Sequence, residues 1–530
     1  MTQSFRWQTE ADGYRAFIKT DFPATALVYS SPMTMAKMSP MAPLSTSNCL
    51  WGDVPSSSVI VVGISGNYLL AGALTAFRSL TLLRAVYDNR RITRIELYQP
   101  DIRPGETPEE TVILEGDDWR QLLCQYADLA AVKMGAPAID SRKNMTGYCS
   151  WYYYYKDVTE KAFLENIDAL AKNRSPYAAD YVQIDDGFQT FQGDWLDQDK
   201  TWPTPLKEIA RKITDAGMKA GIWTMPTTAS TASRVFQAHP DWFVRNEQGE
   251  VATLPGWSPA PDNVWACLDP TIPEAREHIA TIFKTFRSWG FTYFKMDGLY
   301  FGFQKGIRHD PNATCVSAFR LLLKTIREAV PDALLMACSS PFLPCIGLVD
   351  NIRASNDTSR FFRDDHSKQN APALCGCNIQ DAFHITMANF WWIDRWFRAD
   401  PDVVMARQDN AFYTRNQAKF SVLGAIATGV ALTSDHLGTI SAERNALLAK
   451  AQNIRMRDVR PINSTPNIWP LEYEGTIDGK RAVILANDTA SPKTWLLSDL
   501  GLPEDCTDLL DDKPVHHEAT LQPDDALLLV

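Results

Sequence analysis

Phe294-Lys295-Met296-Asp297-Gly298-Leu299-Tyr300 decides how this chain is read. The run begins as a buried strand, with Phe291, Tyr293 and Phe294 apolar or aromatic, and ends on a carboxylate followed at once by glycine. A charge at the last residue of an apolar strand is costly unless it is exposed at the strand's mouth or paired there. Lys295, two residues earlier, is a candidate partner. Asp297 therefore reads first as a catalytic carboxylate, with an N-cap of the next helix as the alternative. The number of other strands that end the same way separates these readings.

Working outward, the chain from Met145 repeats strand, loop and helix. Eight strands are expected: Gly147 to Trp151, Tyr181 to Ile184, Ala220 to Thr224, Phe291 to Met296, Leu334 to Ala337, Asn351 to Ala354, Val403 to Ala406 and Val430 to Thr433. Helices are expected over Glu160 to Lys172, Pro205 to Ala216, Pro273 to Trp289, Cys315 to Ala329, Gln380 to Trp392, Arg415 to Thr428 and Ser441 to Ile454. Eight such units predict a (β/α)8 barrel over residues 141–460, with its active site at the C-terminal ends of the strands. A doubly wound sheet is the alternative, but no glycine-rich dinucleotide or phosphate loop follows an early strand.

Residues 1–140 read differently. β-like runs lie within Phe5 to Ser30, Val59 to Leu70, Arg91 to Tyr98 and Thr111 to Leu114, separated by Ser, Pro and Gly clusters. They predict an antiparallel, sandwich-like domain. A helix from Trp119 to Met134 closes it, with Asp117 and Asp118 at its start, where carboxylates favour the helix dipole. Residues 461–530 return to short strands and turns, predicting a small C-terminal antiparallel domain.

Composition narrows the function. A hydrophobic share of 45% and a charged share of 22% are those of a globular protein. The net charge of −11 argues against a nucleic-acid partner. No run approaches the apolar length of a membrane span, and the first twenty residues lack the apolar core of a secretion signal, so no membrane association and a cytoplasmic location are expected. Ten cysteines suggest no disulfide framework. Cys375-Gly376-Cys377 is the only close pair and has no second pair or His cluster beside it, so no metal is expected.

Several predicted strands end in chemistry. The second ends Gln183-Ile184-Asp185-Asp186-Gly187, the fourth Lys295-Met296-Asp297, and the sixth runs Arg353-Ala354-Ser355-Asn356-Asp357. The first ends in Trp151-Tyr152-Tyr153-Tyr154-Tyr155, the third in Gly221-Ile222-Trp223 and the fifth in Cys338-Ser339-Ser340-Pro341. Carboxylates, cations and aromatic rings at one mouth suit a glycosidase pocket, where one carboxyl group attacks and another supplies the proton.

These segments, with Gly147-Tyr148-Cys149-Ser150-Trp151-Tyr152, Gly193-Asp194-Trp195, His239-Pro240-Asp241-Trp242 and Ser340-Pro341-Phe342-Leu343-Pro344, resemble glycoside hydrolase family 36. These are the bacterial α-galactosidases or melibiases, and the short thermophile-type members are nearest. The resemblance covers Gly147 to about Pro401. It implies a retaining enzyme without a cofactor, acting on small α-galactosyl oligosaccharides. Asp297 corresponds to the nucleophile and Asp357 to the acid/base. Asp185 and Asp186 match a pair that binds the galactose 4- and 6-hydroxyls. Lys295 and Arg353 match cations near the sugar, and Trp151, Tyr152 and Trp223 match the pocket wall. Cys338 and Ser339 fall near the 2-position. Trp51 is a candidate reaching in from the N-terminal domain, and Trp195 a second aromatic contact that also fits a core role; Trp242 fits the core better.

The chain departs from the family in having Met296 before and Gly298-Leu299 after Asp297, Thr224 after Trp223, and a short N-terminal domain. The first two leave the leaving-group preference open and the third leaves homo-oligomerisation open. An α-N-acetylgalactosaminidase, a raffinose-synthase-like galactosyl transferase and a sugar-binding protein without catalysis are the alternatives. The presence of both Asp297 and Asp357 argues against the last.

Overall fold

The computed structural model describes residues 5–31, 56–88, 90–139, 144–172, 177–363, 377–463 and 469–530. Eight strands form one parallel sheet: β1 Met145–Cys149, β2 Tyr181–Ile184, β3 Lys219–Thr224, β4 Phe291–Met296, β5 Leu334–Ala337, β6 Asn351–Arg353, β7 Arg398–Asp400 and β8 Val430–Thr433. From β1 to β7 each pairs in parallel with the next, and β1 also pairs in parallel with β8. The strands are almost wholly buried, because helices cover the outer face and side chains fill the inside.

The seventh strand corrects the sequence reading. Val403 to Ala406 is the apolar run, yet the strand that pairs with β6 is Arg398–Asp400. Pro401 follows immediately and has no N–H to give a ladder, and Asp402 then sits at φ +74°. The apolar run is left with one bridge, Val404 to Thr433, which brings the end of the β7 segment to β8 and closes the barrel there. A charged strand at this position is tolerated because Asp400 meets Arg353 of β6, 3.1 Å away.

Ahead of the barrel, a five-stranded and a four-stranded antiparallel sheet share a core of Ile18, Leu83, Ile95, Leu97, Ile60 and Val62. Strand Val59–Ile64 shows the period of two directly. Ile60 and Val62 face that sandwich, while Val59 and Val61 join the main core. The helix Trp119–Met134 covers this second face. Its N-cap is Asp118, whose carboxylate accepts from the Arg120 N–H, and its Tyr126 hydroxyl donates to the Ala73 carbonyl at 2.7 Å.

After the barrel, antiparallel strands run from Arg457–Pro461 to Asp525–Leu529. Asp505–Asp508, Lys513–His516 and Glu518–Leu521 are strands that local patterning did not reveal, because each carries charged or polar residues on its open face. This sheet is fastened to the barrel helix Arg415–Thr428. There, buried Lys419 lies 3.1 Å from Asp511 and 2.9 Å from Asp525. Among the described residues no helix is long and apolar enough to cross a membrane.

Candidate active site

Asp297 follows the last residue of β4 and reaches the pocket at the strand's C-terminal end. Gly298 turns the chain sharply, at φ +57°, and a Cβ there would strike the Met225 side chain. Glycine is therefore favoured directly after this carboxylate. The Asp297 Oδ1 accepts from the Gly298 N–H at 2.7 Å and from the Ser339 hydroxyl at 2.8 Å. Its Oδ2 accepts from the Trp223 indole N–H at 3.2 Å. Burial alone would raise the Asp297 pKa. The Lys295 ammonium and the Gly298 and Ser339 donors outweigh that and hold it below the ordinary carboxylate value. Ser339 itself sits at φ +50°, a conformation that residues with a Cβ avoid. Its carbonyl is held there by the Tyr300 N–H at 2.8 Å.

Beside Asp297, the mouth of β2 supplies two more carboxylates. Asp185 Oδ2 lies 2.9 Å from the Lys295 ammonium, a buried pair with both side chains under 5% exposed. The Asp185 carboxylate also accepts from the Gln183 amide, and its backbone N–H donates to the Ser150 hydroxyl at 3.0 Å. Burial lowers the Lys295 pKa, but the Asp185 charge overrides it and keeps the ammonium protonated. Asp186 is different. Its partners are the amides of Gln189 at 2.6 Å and Gln192 at 3.4 Å and the Trp257 indole at 3.5 Å, with Lys156 at 3.9 Å. Burial dominates there and raises the Asp186 pKa.

Across the pocket, past β6, Asp357 accepts from Arg353 at 2.9 Å and keeps about a quarter of its side chain exposed. Arg353 is 2% exposed and is gripped from behind by Asp400 at 3.1 Å and Asp402 at 2.9 Å. Asp402 also accepts from the Thr358 N–H at 2.6 Å, next to Asp357. Burial pushes the Asp402 pKa up even against the Arg353 charge, with Asp357 and Asp400 adding to the rise.

One pocket is lined by Trp151, Tyr152, Asp185, Asp186, Trp223, Lys295, Asp297, Ser339 and Asp357. Three residues singled out from sequence lie behind this lining. Trp195 is buried edge-on against Trp223, with ring centres 5.7 Å apart. Cys338 is fully buried, and its burial raises the thiol pKa well above normal. Arg353 stands behind Asp357 and reaches the Tyr152 hydroxyl at 3.4 Å. Trp51 lies outside the described residues. Paired carboxylates on one pocket, one held ionised by its neighbours and one partly open to water, can perform nucleophilic attack and proton transfer.

Residues 107–312 match the Melibiase family model. The match takes in the ends of β2, β3 and β4 and stops before Asp357. Among curated proteins, the α-galactosidase AgaA of Geobacillus stearothermophilus is 24% identical over 27% of this chain and 20% of its own length. An Escherichia coli α-galactosidase is 22% identical over 63% of this chain and 44% of its own length. The aligned stretches thus span less than half of either relative. The solved α-galactosidase of Thermus thermophilus, in complex with p-nitrophenyl α-D-galactopyranoside, superposes with a TM-score of 0.69 at 21% identity, over 90% of this chain and 95% of that one. These matches show likeness in sequence to α-galactosidases over part of the chain and likeness in fold over most of it.

Four residues at the site escaped the sequence reading. Trp257 and Tyr300 line the pocket, and Asp400 and Asp402 brace Arg353. Tyr300 carries a usable signal, since it lies three residues past Asp297. Asp400 sits at the end of a strand that was placed elsewhere. Trp257, within Gly256-Trp257-Ser258-Pro259, reads locally as an ordinary loop.

Proposed function

We propose that the chain is a retaining α-galactosidase that hydrolyses terminal α-galactosyl residues of small oligosaccharides. The observation that carries this is Asp297, held ionised at the base of a pocket that Asp357 faces from the other side. Asp297 Oδ1 is engaged by two donors, so Oδ2, with one, is the attacking oxygen. Its lone pair forms the bond to the anomeric carbon as the glycosidic bond breaks. Asp357 gives its proton to the leaving oxygen. A water then attacks the same carbon, Asp357 takes its proton, and the Asp297 carboxylate departs. Two inversions return the α configuration.

The choice of sugar follows from β2. The axial 4-hydroxyl distinguishes galactose from glucose, and the buried Asp185–Asp186 pair supplies acceptors for the 4- and 6-hydroxyls together. A mismatched sugar leaves those acceptors unpaired, which discriminates strongly. Among the described residues all eight cysteines are free, which supports a reducing compartment such as the cytoplasm.

A panel of nitrophenyl α-glycosides tests the reading. The α-galactoside is expected to exceed the α-glucoside by about 10³ or more in kcat/KM, a difference of roughly 4 kcal/mol. An α-glucoside of equal rate removes the sugar assignment. A faster N-acetylgalactosaminide moves the specificity to that sugar and leaves the mechanism. Proton NMR of the first-formed sugar is expected to show the α anomer, and β-galactose appearing first contradicts retention.

A further inference from the structure

Between β3 and β4 the chain inserts a three-stranded antiparallel sheet, Thr228–Ser230, Thr253–Pro255 and Val264–Cys267. The turn between its last two strands carries Trp257 to the lip of the pocket that holds Asp297 and Asp357. Trp257 is 41% exposed, whereas Tyr152 and Trp223 in the same pocket are 1% exposed. A large ring that lines a pocket and stays open to solvent there is placed to touch what enters that pocket.

The ring is nonetheless held firmly. It stands edge-on against buried Trp265, with centres 4.6 Å apart, and lies 6.0 Å from Phe301. Gly256 lets the turn lie on the Trp265 indole, since a Cβ there would strike it. The Trp257 N–H points to Asp186 at 3.5 Å, and the adjoining Ser258 hydroxyl accepts from Lys156 at 2.6 Å. Lys156 thereby ties the turn to the mouth of β2. The indole N–H of Trp257 is therefore turned toward the buried Asp186, while 41% of the residue stays open where it lines the pocket.

Resting on the α-galactosidase reading above, we infer that Trp257 is the platform for the sugar unit attached to the galactosyl residue. The enclosed, buried faces surround the galactosyl ring itself. The next unit emerges where the lining is open, and there an aromatic face can stack on the C–H face of a pyranose. Trp257 is then a specificity-determining residue that favours a sugar over a small leaving group.

The test compares an α-galactosyl-(1→6)-glucose disaccharide with α-galactosyl fluoride, which carries no leaving-group ring. Because Trp257 is exposed, its truncation empties no core. In Trp257→Ala the ratio of kcat/KM for disaccharide to fluoride is expected to fall about tenfold, mainly through KM, as lost stacking would give. Trp257→Phe keeps a ring and is expected to keep that ratio within about threefold. An unmoved ratio in Trp257→Ala overturns the inference, as does an equal loss on both substrates, which assigns the ring to the galactosyl unit. A Phe variant that loses as much ratio as Ala also overturns it, placing the effect in the N–H to Asp186. A wild-type chain active on both substrates with any of these results overturns the inference alone. Inactivity of the wild type on both overturns the galactosidase reading and the inference with it.

Discussion

Asp297, past β4, accepts hydrogen bonds from the Gly298 N–H, the Ser339 hydroxyl and the Trp223 indole, and the Lys295 ammonium adds its field. Asp357, past β6, accepts from Arg353 among the described residues and is partly open to solvent. The difference lies in what each carboxylate is fastened to. Asp297 is held directly, by groups one strand away on either side. Asp357 is held indirectly, through a guanidinium that Asp400 and Asp402 grip from behind. Direct donors stabilise an anion and suit a nucleophile. A single shared cation with solvent access suits a group that gains and loses a proton each turnover.

The largest expected effect removes each carboxylate in turn. Asp297→Ala should lose about four orders of magnitude or more in kcat whatever the leaving group, because the covalent step is gone. Azide should restore part of the turnover and yield β-galactosyl azide. Asp357→Ala should lose about 10²–10⁴, and more for a disaccharide than for a nitrophenyl galactoside, whose leaving group departs without a proton. Near-normal turnover in Asp297→Ala, or equal leaving-group dependence in both variants, breaks the comparison.

Asp402→Asn tests the indirect grip. It should retain the bond to the Thr358 N–H while removing the charge that lies 2.9 Å from Arg353, costing about 10–100-fold in kcat for a disaccharide, as loss of one partner of a buried ion pair would give. The deficit should shrink for a nitrophenyl galactoside, as in Asp357→Ala. A deficit of equal size on both substrates would mean that Asp402 does not act through Asp357.

Ser339→Ala is the mildest change and sharpens the direct side. Asp297 must be ionised to attack, so activity falls as pH drops through its depressed pKa. Ser339 is one of the donors that depress it. Removing the hydroxyl raises that pKa, so the acidic limb of kcat/KM should move to higher pH, with about a tenfold loss at neutral pH. A limb that stays in place or moves to lower pH excludes Ser339 as a support of the carboxylate.

Local residues announced much of this architecture. The apolar runs of β1 to β5 and β8 are readable because strands buried on both faces need largely hydrophobic sequence, and a carboxylate ending such a run is conspicuous. The same logic misplaced β7. Arg398-Ala399-Asp400 looks unlike a strand until its partner Arg353, 47 residues earlier, is known. Val403 to Ala406 looks like one although its backbone makes a single bridge. Trp195 and Trp257 show the converse. Sequence offered Trp195 for the pocket and passed over Trp257, yet the fold buries the first behind Trp223 and swings the second over the mouth from an inserted sheet. The sequence by itself determined the barrel and the carboxylates at the ends of β2, β4 and β6, since burial periodicity and strand ends are local properties. Only the tertiary structure decided which charges neutralise one another and which rings face the cavity. Those outcomes depend on side chains far apart in the chain, such as Asp186 and Trp257, meeting across the mouth of the barrel.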